Sequence, residues 1–202
     1  MTLALSKSSA LVINEMQLGV VDAAHTPFRG LADQVEERGV INHIARLAAA
    51  FRGAGRPVFH TPVVHRPDFA DVQPNTLISA LTLKGRKMVQ GSIEAGYVPA
   101  LAPEPGDHVI ERTSGLIAFQ ATALDGLLRR LGIDTVVIVG VSTNVGVAGC
   151  TMAAVELGYH VVIPEDCIAG ADPEAHRIIV DRQLRMLARI STANDVIGAL
   201  TA

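Results

Sequence analysis

Three short stretches of this chain carry residues whose types and spacing could do chemistry, and each directly follows an apolar run that reads as a strand. Asn14–Gln17 supplies Glu15, Glu111–Phe119 supplies Arg112, and Gly140–Gly146 supplies a turn of small residues, GVSTNVG. A carboxylate just past a buried strand loses part of its hydration, which adapts it to general acid or base work. The same residue also fits a plain loop or helix-capping carboxylate. The guanidinium of Arg112 could hold an anionic substrate group through two parallel hydrogen bonds. It could equally form a surface ion pair with Glu111 or Asp107. The GVSTNVG turn could offer backbone N–H groups and the positive end of a helix to an anion or oxyanion. Its glycines would let backbone approach a ligand closely, although strand–Gly–helix turns are common.

These stretches must be positioned by an α/β framework. Ala10–Asn14 (ALVIN) and Thr135–Val139 (TVVIV) are continuous apolar runs, as expected of strands buried on both faces. Arg56–Thr61, His108–Ile110, Tyr159–Ile163 and Ala188–Ile190 complete the expected strands. Between them, Val40, Ile44, Leu47 and Phe51 recur at helical spacing, as do Leu124, Leu127, Leu128 and Leu131. A helix is expected over Asn144–Leu157, and another after Asp172–Pro173, an N-cap with Pro at the first helical position. A C-terminal helix follows the last strand. The stretch between the first strand and about Asp33 reads as polar and irregular. Alternating strands and helices predict one domain built on a parallel sheet with right-handed crossovers. In such sheets, ligands bind beyond the carboxyl ends of the strands, near the point where the winding reverses.

The connection from Pro62 to Gly106 is punctuated by Pro67, Pro74, Pro99, Pro103 and Pro105, with a short helix expected near Thr76–Leu81. So long a connection in a compact domain serves as a pocket wall or lid, or as an oligomer contact. It also holds His65 and Asp68, which with His60 of the preceding strand are a grouping to weigh as a metal site, and the Lys84–Arg86–Lys87 trio. That trio reads as a solvated face, or as a charge offered to a carboxylated substrate.

Composition closes off several classes of function. Hydrophobic residues make up 49% of the 202 residues, which excludes intrinsic disorder, and aromatics are only 3%, so Ala, Val, Ile and Leu must build the core. The formal charge is −3 with no basic stripe, so nucleic-acid binding is not expected. No apolar run approaches the roughly 18 residues of a membrane span, and the start reads as a strand rather than a secretory signal. The two cysteines, Cys150 and Cys167, form neither a metal-ligand spacing nor a disulfide framework, and a reducing cytoplasm is the expected setting.

Taken together, ALVINEMQ (10–17), ERTSGLIAF (111–119), GVSTNVGVAGCTMAAVELGY (140–159) and VVIPEDCIAG (161–170) resemble the isochorismatase-like cysteine hydrolases from about Ser9 to the C-terminus. The resemblance fades only over 62–106. It implies a three-layer α/β/α fold with a six-stranded, mostly parallel sheet, a homo-oligomer (dimer or tetramer), and no cofactor. It also implies hydrolysis of amides and related C–N bonds, as in nicotinamide, N-carbamoylsarcosine and ureide-like compounds, by an Asp–Lys–Cys triad. A cis peptide would fall between Val141 and Ser142. This chain departs from the triad at each position: Glu15 for Asp, Arg112 nearest the Lys, and Gly146 for the Cys. Cys150 lies one helical turn farther on, and it reads, like Cys167, as a packed thiol. The Asp-x-His metal pattern found in nicotinamidases is not reproduced by HTPVVH, so no metal is expected.

A glycine at position 146 resembles the isochorismatases proper, which cleave a vinyl ether by acid catalysis without a nucleophilic side chain. The expectation favoured by the sequence is therefore a hydrolase of a small, anionic metabolite. Glu15 would serve as acid, Arg112 as anion clamp and Gly146 as the vacated nucleophile position. Gln17, Ser142, Thr143, Asn144 and Phe119 would line the substrate site. A C–N hydrolase in which Glu15 activates water is the first alternative, and a catalytically inactive binding protein the second.

Overall fold

The computed structural model describes residues 3–113 and 116–200, so Ser114 and Gly115, within the stretch 111–119, lie outside the described residues. Six strands form one hydrogen-bonded path in the order β3-β2-β1-β4-β5-β7, and all their pairings are parallel. They are β1 (Ser9–Asn14), β2 (Val58–Thr61), β3 (His108–Val109), β4 (Thr135–Val141), β5 (His160–Pro164) and β7 (Arg189–Ser191). A seventh, two-residue strand, β6 (Ile168–Ala169), pairs with the end of β4 and was not expected from the sequence.

The three layers follow from the alternation of side chains along buried strands. Leu11 and Ile13 of β1, with Val137 and Val139 of β4, belong to one core cluster; Ala10, Val12, Val136 and Ile138 belong to the other. The first cluster is completed by α2 (Arg29–Glu37), α3 (Val40–Gly53) and α9 (Ala193–Leu200). The second is completed by α5 (Leu124–Arg130) and α6 (Ala148–Glu156), with Val180 and Leu184 from a π-helical turn after α7 (Pro173–Ile179). The fold is thus the three-layer α/β/α arrangement, with β1 and β4 buried along their whole lengths.

Two local expectations are corrected. The stretch after β1 is not irregular: α1 (Leu18–Val21) and α2 occupy it, and α2 buries only Leu31, Ala32 and Val35. So narrow an apolar stripe gives a weak periodic signal. The expected helix over 144–157 is two elements, a π-helical turn over Thr143–Val147 and then α6. The short helix in the long connection is α4 (Leu77–Gly85), started by a capping box in which Thr76 and Ser79 satisfy each other's backbone N–H groups.

β1 and β4 come closest where their chains leave the sheet. Asn14 pairs with Gly140, and a Cβ on Gly140 would lie 2.1 Å from the Asn14 carbonyl oxygen. Only glycine permits that approach, at a φ of +99°. The strand order reverses at this pair, since β2 and β3 lie beyond β1 while β5 and β7 lie beyond β4. The crevice predicted for ligands therefore opens where Glu15 and the Ser142 turn emerge.

Two histidines tie the packing to pH. His60 is 2% exposed and faces Asp107 at 3.1 Å, while Arg52 also holds that carboxylate; His176 is 4% exposed against Thr143. Burial pushes both imidazoles below their usual range, although Asp107 pulls His60 the other way. A depressed folded-state pKa gives stability that is full above the unfolded value, roughly 6.5, and is lost as pH falls through the folded values. Thermal midpoints should therefore fall steadily between pH 7 and pH 5; a flat profile across that window would contradict the burial of neutral imidazoles.

Candidate active site

Glu15 is the first residue past β1, and its backbone turns sharply there, with a φ of +52°. A non-glycine residue in the left-handed region costs on the order of 1–3 kcal/mol and persists where its surroundings fix it. What fixes it is Arg112. The guanidinium Nη2 donates to Glu15 Oε1 across 97 positions of sequence, with the arginine side chain 3% exposed and the glutamate 20%. Arg112 is carried there because the chain after β3 continues alongside β2: its N–H donates to Pro62, and its carbonyl accepts from Val64. Burial pushes the guanidinium below its usual range, and the nearby Cys150 thiol acts in the opposite sense.

Gly146 completes the convergence. A Cβ placed on it would lie 3.7 Å from Glu15 Oε1 and 2.6 Å from the Val141 carbonyl oxygen. The first distance sets the turn directly beside the carboxylate. The second shows that the backbone has closed in on the place a side chain would need, so that even a methyl group would force the turn to move. The peptide between Val141 and Ser142 is cis. The Ser142 carbonyl accepts from the N–H groups of Val145 and Val147, so those donors belong to the turn itself.

The structure thus brings Glu15, Arg112 and Gly146 together, and distributes the other candidates differently. Gln17 is fully buried, and its amide pins the long connection: it donates to the carbonyls of Val63 and Ala95 and accepts from the N–H of Val63. Thr143 is also buried, its hydroxyl within 2.8 Å of His176 Nδ1. Phe119 packs in the core against Tyr159. Ser142 is half-buried, and Asn144 is exposed at the turn.

The cavity beside the site encloses about 430 Å³. Glu15 lies on its wall, and most of the rest comes from the long connection, including Val63, His65, Asp71, Thr76 and Met88. These connection residues are the ones the sequence could not assign, because nothing in their spacing marks them. Its charged lining is Glu15 and Asp71, with no lysine or arginine among the described lining residues. The Lys84–Arg86–Lys87 trio lies elsewhere: Lys87 donates to the His25 carbonyl, and Arg86 stacks on Phe69.

Neither thiol is placed to attack a substrate. Cys150 is fully buried, its Sγ accepting from the Ala118 N–H and lying 3.6 Å from Asn14 Oδ1; burial pushes its pKa up. Cys167 is fully buried too, and burial and Asp166 push it well above the usual thiol range. The histidines do not gather either, since His60 faces Asp107 while His65 faces Thr113, and Asp68 is exposed on Arg66. Among the described residues, no group of three His, Cys, Asp or Glu side chains could hold a metal ion.

With Glu15, Arg112 and the cis turn at the switch point, the comparison with known proteins is decisive: residues 9–195 match the isochorismatase domain. The chain belongs to the isochorismatase family. It is 34% identical over 197 residues to an uncharacterised isochorismatase family protein of Escherichia coli O157:H7, covering 96% of this chain and 97% of the relative. It is 30% identical over 171 residues to the maleamate amidohydrolase of Pseudomonas putida, covering 84% and 76%. The solved isochorismatase family protein of Desulfovibrio vulgaris superposes with a TM-score of 0.84 at 28% identity, over 98% of this chain and all of that one. The family member is therefore a hydrolase whose described residues offer no accessible thiol at the site. An aromatic disulfide reagent should label neither cysteine in the native protein and both after unfolding; fast labelling of the native protein would bring a thiol back into consideration.

Proposed function

We propose that this protein hydrolyses a carbon–nitrogen bond in a small amide or ureide-type compound, with Glu15 drawing a proton from the attacking water. The observation that carries this reading is the buried ion pair of Glu15 with Arg112. A carboxylate in contact with a guanidinium presents its charged form, which accepts a proton and has none to give. General-base activation of water needs that form. Acid catalysis on a vinyl ether, the expectation favoured by the sequence, needs the other.

The same pair bears on the substrate. Arg112 was expected to clamp an anion, but its guanidinium is engaged by Glu15, and the charged groups on the cavity wall are carboxylates. An uncharged substrate rich in N–H donors suits such a wall better than an anion does. With glycine at 146, the place beside the carboxylate is left to water and substrate. The relative's name, maleamate amidohydrolase, supports amide chemistry on this fold.

The test is product release from maleamate, nicotinamide, N-carbamoylsarcosine and isochorismate, with wild type and Glu15→Gln side by side. Expected is ammonia from at least one of the C–N compounds, lowered by about 100-fold or more in Glu15→Gln, the usual worth of a positioned base. No covalent adduct should appear in the mass of the intact enzyme during turnover. Pyruvate from isochorismate would overturn the reading in favour of acid catalysis. Silence on all four compounds, with tight binding of one, would favour a binding protein.

A further inference from the structure

The cavity wall holds a second polar pair, His65 and Asp71, which the hydrolytic centre does not use. The Asp71 side chain is 10% exposed, and both its carboxylate oxygens are covered, with no hydrogen-bond donor among the described residues. A buried carboxylate left in that state is costly, and in a cavity wall it points to a purpose. His65 Nδ1 lies 3.6 Å from Asp71 Oδ2. The same nitrogen lies 2.7 Å from the carbonyl oxygen of Thr113, the residue after Arg112.

A carbonyl oxygen only accepts, so Nδ1 of His65 carries a proton and Nε2 is the nitrogen left for another partner. The ring is held from other sides as well. Its backbone N–H donates to Met88 and its carbonyl accepts from Gln90, while Phe69 packs on the ring at 5.7 Å between centroids and is itself covered by Arg86. His65 is 7% exposed and forms part of the cavity wall. A ring held in this way, with Nδ1 engaged by the Thr113 carbonyl, lines the same cavity as Glu15.

We infer that His65 is a specificity-determining residue, whose Nε2 accepts a hydrogen bond from an amide or ureido N–H of the bound substrate. Asp71 is its positioning residue: the Thr113 carbonyl takes the hydrogen bond from Nδ1–H, and the carboxylate 3.6 Å away favours a proton on that nitrogen electrostatically. This selects compounds with an N–H donor where the substrate meets His65, and disfavours carboxylates of the same shape there. It rests on the carbon–nitrogen reading for the class of substrate, but not for the state of the imidazole.

Nitrogen-15 resonances of the His65 ring test it without turnover. In the wild type at neutral pH, Nδ1 should carry the proton and Nε2 should show the unprotonated shift. Acetamide should move the Nε2 resonance saturably towards the hydrogen-bonded value, and acetate, the same shape without N–H, should not. Asp71→Asn, which puts a donor beside Nδ1–H, should mix the two tautomers; an unchanged single tautomer would remove Asp71 from the role. With any amide the enzyme turns over, His65→Phe should raise KM tenfold or more while changing kcat less, and His65→Gln should recover part of the loss. An Nε2–H tautomer in the wild type, or equal responses to acetamide and acetate, would overturn the proposal. Absence of turnover with the expected resonance shifts would instead count against the hydrolase reading alone.

Discussion

The site depends on a guanidinium that has been taken out of water. Arg112 is almost wholly covered, and a buried cation without a counter-charge costs several kcal/mol. Glu15 supplies that counter-charge, and to reach it the chain leaves β1 through a left-handed residue. The pair fastens the end of the central strand to the segment after β3, with β2 between them in the sheet. It also sets the carboxylate on the cavity wall. Structure and chemistry are here the same interaction, so a change to either partner is felt in both.

Around this pair the turn after β4 has been drawn inward. In a chain with a side chain at 146, the Val141 carbonyl would have to stand farther off; here it lies 2.6 Å from where a Cβ would begin. A side chain at 146 therefore could not be introduced without moving the turn. Other polar groups then define the rest of the cavity: Gln17 anchors the connection, and the connection brings His65 and Asp71 to the cavity wall.

The elements that hold this arrangement were legible where the signal is one of burial. ALVIN and TVVIV are apolar throughout because both faces of β1 and β4 are covered, and that pattern placed Glu15 and the 142–146 turn at strand ends. Arg112 was legible as a residue after a strand, but not as a buried partner of Glu15, because spacing along the chain says nothing of a contact 97 residues away. Thr143 and Phe119 belong to short motifs beside the site, yet their side chains turn to His176 and Tyr159 in the interior. His65 and Asp71 were hidden for a different reason. They lie in a connection with no periodicity, and their meaning appears only when the fold covers both carboxylate oxygens.

The central claim is that Glu15 and Arg112 act as one charged unit, and a double-mutant cycle measures this most directly. Unfolding free energies of the wild type, Glu15→Gln, Arg112→Gln and the double variant give the coupling without any substrate. The ion pair predicts single losses that exceed additivity, with a coupling energy of more than about 1 kcal/mol, because each single change strands a partner. Single effects that simply add, within about 0.5 kcal/mol, would show two independent side chains and contradict the account.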